Sequence, residues 1–111
     1  MEVLTLYDGA QRTIVSDGIY QLKANGLTFK TRIAGFQSTG NNVILLHGFP
    51  QTSSIWQPMM DQAASEGYRV VAFDQRGYSP GARPSGISNY GIDILTQDVI
   101  DVANQVGFDN F

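Results

Sequence analysis

The sequence has 111 residues, 42% hydrophobic and 15% charged, with a formal net charge of -3. That is the balance of one globular domain, not of a disordered chain. The seven basic residues are scattered and there is no cysteine, which argues against nucleic-acid binding, a disulfide framework, a thiolate metal site and a cysteine nucleophile.

Membrane spanning is not expected either, because no apolar run approaches the ~20 residues that cross a bilayer. Met1-Glu2-Val3-Leu4 lacks a basic leader, so a cytoplasmic setting is expected. Residues 1–17 carry no strong periodicity and read as an irregular lead-in to a domain over 18–111. Ile19 to Ala24 reads as a strand. Asn25-Gly26 is a strong two-residue hairpin turn, because both central positions of the favoured turn need positive φ. Leu27 to Ala34 alternates apolar and polar residues as the returning strand. Gln37 to Asn42 is a polar loop.

Val43 to Leu46 is a continuous apolar run, which predicts a strand covered on both faces. Ser53 or Ser54 is placed to cap the following helix, with Pro58 in its first turn. Trp56, Met59, Met60 and Ala63 form its predicted apolar face, and Gly67 ends it. Arg69 to Phe73 is a second covered strand. Asp74 to Ser88 is a loop. A second helix is predicted from about Asn89 to Val106, with Ile92, Leu95, Val99, Val102 and Val106 inward and Gly107 past its end. Hairpin, strand, helix, strand, helix implies an α/β fold with parallel strands.

Two strand ends carry the candidate chemistry. His47-Gly48-Phe49-Pro50 leaves the first buried strand at its carboxyl end, where open α/β sheets place ligands. Gly48 allows a sharp turn, Pro50 stiffens the exit, and the Phe49 N–H can face the crevice as an oxyanion donor. Taken alone, the four residues fit an ordinary strand-to-helix turn equally well. The second strand runs into Asp74-Gln75-Arg76-Gly77-Tyr78. With Trp56 and Gly67-Tyr68-Arg69-Val70-Val71-Ala72-Phe73 ahead of it, this set resembles the α/β-hydrolase superfamily, closest to the branch of epoxide hydrolases, dehalogenases and related esterases. The resemblance covers roughly Ile19 to Phe111.

It implies the N-terminal half of an α/β-hydrolase sheet: a hairpin, then Arg69–Phe73, then a parallel Val43–Leu46 at the far edge, by the right-handed crossover. It implies that Phe49 supplies one oxyanion-hole N–H and lines the substrate pocket. His47, Gly48, Pro50, Asp74, Arg76 and Gly77 would be structural members of the motif, with Asp74 and Arg76 bracing the loop as an Asp–Arg pair. His47 is the sole histidine. Nucleophile, acid and histidine follow one another in this fold, so a histidine this early is a turn residue and not the catalytic base.

Gly77-Tyr78-Ser79-Pro80-Gly81 matches the Gly-x-Ser-x-Gly nucleophile elbow letter for letter. It fails on mechanism. The residue after the nucleophile must donate its backbone N–H to the oxyanion, and Pro80 has none. No nucleotide-binding glycine pattern is present, and no cofactor is expected. A metal site would need carboxylates such as Asp93, Asp98 and Asp101, which read better as a solvated helix face.

In the family, the next strand carries the nucleophile. The sequence reaches Phe111 ahead of it, so the nucleophile, catalytic acid, catalytic histidine and lid are not among these residues. The expectation is a hydrolase part that is inactive alone, acting on a small-molecule substrate only in the complete enzyme. Its open Val43–Leu46 edge would invite self-association or pairing with a C-terminal half. The alternative is a non-catalytic α/β module or truncated gene product that associates through that edge. Whether the absent nucleophile is serine or aspartate is left open. Phe49 has no side-chain donor for a halide, which ranks epoxide hydrolase or esterase above dehalogenase.

Overall fold

A computed structural model describes residues 2–5, 11–14, 17–36, 38, 40–48 and 51–111. The expected irregular lead-in contains an antiparallel ribbon of β1 (Glu2–Thr5) and β2 (Gln11–Ile14), with Glu2 opposite Ile14. Each strand is only four residues long, too short for the period-two pattern to stand out.

The hairpin follows as expected. Asn25 and Gly26 take φ of 48° and 76°, the paired positive values of the tight hairpin turn, and join β3 (Gly18–Ala24) to β4 (Leu27–Ala34). The next strand, β5, spans Asn42–Leu45. A 3-10 turn (Ser53–Trp56) leads into helix α1 (Gln57–Ser65), with Pro58 in its first turn. Strand β6 is Arg69–Phe73. After a second 3-10 turn (Ile87–Tyr90), helix α2 spans Ile92–Gln105.

The main sheet has the order β3-β4-β6-β5. β4 and β6 are antiparallel, and β5 pairs parallel to β6 with Val43 opposite Val70. This is the expected order and sense, with β5 at the edge. Alternation along β6 builds two cores. Val71 and Phe73 join Leu22, Phe29, Ile33, Val102, Val106 and Phe108 on the α2 side. Val70 and Ala72 join Ala34 and Met60 on the α1 side, where Trp56, Ala63 and Leu45 pack against them.

Local expectations fail where a tertiary partner wins. Neither serine caps α1, because the backbone enters through the 3-10 turn and Ser53 turns inward to Asp74. Met60 is fully buried while Met59 is 53% exposed, so the apolar face of α1 is narrower than the pattern implied. The second helix starts later than predicted and leaves Ile92 78% exposed. All four residues of β5 are only half-buried, because no strand pairs with its outer edge among the described residues. No helix is long and apolar enough to cross a membrane among the described residues.

Candidate functional site

The carboxyl ends of β5 and β6 lie side by side because the strands are parallel, so their two loops share one rim of the sheet. That rim is where an open α/β sheet forms its crevice. Phe49 and Pro50 lie outside the described residues, so the Phe49 N–H is not placed and remains a sequence-based proposal. His47 and Gly48 are described. Among the described residues, a Cβ built on Gly48 would meet Gln51 Oε1 at 3.8 Å.

His47 is buried. Its Nε2 accepts the Gln75 backbone N–H at 3.0 Å, and its own C=O accepts from Gln75 Nε2 at 2.6 Å. Its Nδ1 lies 3.2 Å from Gly48 O. The ring meets Tyr78 edge-on, with centroids 4.6 Å apart. An Nε2 that accepts from an amide carries no hydrogen, so the imidazole is the neutral Nδ1–H tautomer, and Nδ1–H donates to Gly48 O. A second tie runs between the same two loops. Asp74 Oδ1 accepts from the Ser53 backbone N–H at 2.8 Å and from Ser53 Oγ at 2.5 Å. Ser53 Oγ in turn accepts from Arg32 Nε at 3.0 Å.

Asp74 and Arg76 do not pair with each other, which corrects the expected Asp–Arg brace. Asp74 faces the α1 approach and Arg76 faces α2. Arg76 Nε donates to Asp98 Oδ2 at 2.8 Å and Arg76 Nη2 to Asp98 Oδ1 at 2.9 Å, the two-pronged geometry that guanidinium and carboxylate favour. Asn25 Nδ2 adds a third bond to Asp98 Oδ1 at 2.9 Å. The hydrogen bond it donates to Asp98 holds the Arg76 guanidinium above its ordinary range, against desolvation by burial. Asp98 is therefore buried and paired, not part of a solvated acidic face. Gly77 has φ of 92°, and its N–H donates to Ala82 O at 2.7 Å, turning the chain back after Arg76.

Ser79 is fully buried. Its Oγ donates to Asp74 O at 2.5 Å and accepts the Lys30 N–H at 3.0 Å. Both roles of the hydroxyl are spent on the scaffold, consistent with its exclusion as a nucleophile. Sequence reasoning missed Gln75, Tyr78, Ser53 and Asp98. Asp98 left a signal: with Leu95 and Val102 it falls three and four residues apart, inside the apolar stripe of α2, where an acid needs a buried partner.

A family model described as alpha/beta hydrolase fold matches residues 41–111, more than half of the sequence. The chain belongs to the alpha/beta hydrolase fold family. It is 39% identical over 84 residues to the AB hydrolase superfamily protein YfhM of Bacillus subtilis, covering 76% of this chain and 29% of that protein. It is 43% identical over 65 residues to Epoxide hydrolase A of Mycobacterium tuberculosis, covering 59% of this chain and 20% of that one. The epoxide hydrolase VrEH1 from Vigna radiata superposes with a TM-score of 0.74 at 30% identity, over 83% of this chain and 29% of that one. The chain thus spans less than a third of the length of these relatives, as a fragment of the fold.

Proposed function

We propose that these residues form the front part of an epoxide hydrolase-like enzyme, supplying the oxyanion-hole loop at Phe49 and the clamp that fixes it. Nucleophile, acid and catalytic histidine come from a further part of the fold, so the 111 residues alone do not turn over substrate. The substrate is a small molecule whose opening places negative charge on an oxygen beside the Phe49 N–H. Phe49 offers no side-chain donor to a halide, which favours an epoxide or an ester over a haloalkane. Two relatives named above carry the name epoxide hydrolase, which favours the epoxide.

The observation that carries this reading is the contact between Asn42 and Asn110. Asn42 is the first residue of edge strand β5, and its Nδ2 donates to Asn110 O at 3.0 Å. The chain leaving α2 thus lies at the amino end of β5, on course for a parallel neighbour to that strand. A right-handed crossover from β6 through α2 would deliver that neighbour. Half-burial of β5 and 44% exposure of Leu46 also favour a second reading, a module that pairs with another chain at this edge without catalysis.

The test is the coding sequence beyond Phe111 in the source DNA, followed by expression of whatever it adds. The proposal expects a strand running into Gly-x-Ser-x-Gly or Gly-x-Asp-x-Gly, and hydrolysis of a styrene oxide-type epoxide by the extended protein. An unrelated continuation would favour the pairing module.

A further inference from the structure

We propose that His47 is a positioning residue whose neutral ring holds the Gln75 backbone N–H on the neighbouring rim loop, and that protonation of Nε2 opens this one bond while the Gln75 Nε2–His47 C=O and Ser53–Asp74 ties remain. The loop geometry carries this, and it rests on the reading of residues 47–50 as the oxyanion loop only for its functional consequence.

Both ring nitrogens are committed in opposite senses. Nε2 accepts the Gln75 N–H and Nδ1 faces the Gly48 carbonyl. A proton on Nε2 puts a donor against the Gln75 N–H donor. The bond is then lost and replaced by repulsion, in a buried position where water cannot readily substitute. No covalent step is involved; one proton is taken from solvent and one hydrogen bond opens.

Among the described residues, the groups facing the ring are Tyr78, Gln75 and Gly48. Tyr78, from the loop after β6, meets it edge-on. Gln75 and Gly48 are neutral. The charged residues on that loop bond elsewhere, Asp74 to Ser53, Arg76 to Asp98, and Arg83 to the carbonyl of Tyr78. No carboxylate among the described residues is paired with His47 to compensate its charge.

The sole histidine makes the test clean. Imidazole 15N shifts of the 111-residue chain give the tautomer directly, and amide exchange at Gln75, referenced to Ala72 in β6, gives the bond. The expected result is Nδ1–H at high pH, with Gln75 protection falling roughly tenfold, the size of one hydrogen bond, as the ring protonates. In His47→Gln the amide oxygen can replace Nε2 as acceptor without titrating, so protection should persist and lose its pH dependence. In His47→Phe it should be absent at every pH. If the chain associates, the same shifts and exchange can be read from the sedimented protein by magic-angle-spinning NMR. An Nε2–H tautomer, or Gln75 protection indifferent to the state of the ring, would overturn the proposal. Neither outcome bears on whether Phe49 serves an oxyanion, so failure of this proposal and failure of the functional reading stay separable.

Discussion

Arg76 and Asp98 lie 22 positions apart and meet through two hydrogen bonds of 2.8 and 2.9 Å. One stands on the loop after β6, the other on the inward face of α2. Asn25 joins the same carboxylate from the β3–β4 turn. Three segments far apart in sequence are thus tied at one buried carboxylate, and the rim loop is held from behind by α2.

Breaking this pair from one side strands a buried charge. Arg76→Met and Asp98→Leu should each cost about 3–5 kcal/mol of unfolding free energy. The double variant should cost much less than the sum, because neither charge remains. Urea denaturation of the two singles and the double checks this; additive losses would show that the pair is not coupled.

Ser79 offers the opposite contrast between motif and structure. Ser79→Ala removes the donor to Asp74 O and leaves the Lys30 N–H unpaired. A loss of about 1–3 kcal/mol is expected. No hydrolytic activity should depend on this residue. A turnover signal that disappears in Ser79→Ala would contradict both the geometry and the exclusion of Ser79 as nucleophile.

Two adjacent methionines give an internal control for the α1 packing. Met60→Ala should destabilise by about 2–5 kcal/mol, because the side chain is fully buried against Ala34, Val70 and Ala72. Met59→Ala should stay within about 0.5 kcal/mol. Thermal or urea melts of the two variants distinguish them, and equal losses would mean that α1 is rotated.

The β5 edge carries a prediction about assembly. Unpaired backbone groups on an apolar edge strand favour association, and apolar area left wet forfeits ~25 cal/mol per Å². Sedimentation velocity with a hydrophobic dye should show self-association or dye binding by the 111-residue chain. A cooperative, dye-free monomer would mean that the edge is covered.

The hairpin and the two parallel strands were legible because each depends on a local signal, Asn25-Gly26 and two unbroken apolar runs; their order came from the family resemblance, with the right-handed crossover placing the helix. What failed to show in sequence depends on long-range partners. Ser53 looked like a helix cap, yet Asp74 claims it from 21 positions away. Asp98 looked solvated because its neighbours Asp93 and Asp101 are polar, yet Arg76 buries it. Of the candidate site, His47, Gly48, Asp74, Arg76 and Gly77 were named from the motif, but what each of them bonds to was not. The His47–Gln75 clamp was not, since nothing in a sequence shows which nitrogen of an imidazole accepts.

The central claim is that these residues are one part of a hydrolase and need another to act. Its most direct test is epoxide hydrolysis by the purified 111-residue chain, measured beside a fusion of this chain to the remaining part of the Bacillus subtilis relative. No turnover above the buffer rate is expected from the chain alone, and measurable turnover from the fusion. Turnover by the 111 residues alone, or a folded fusion that is inert toward epoxides and esters, would contradict the account.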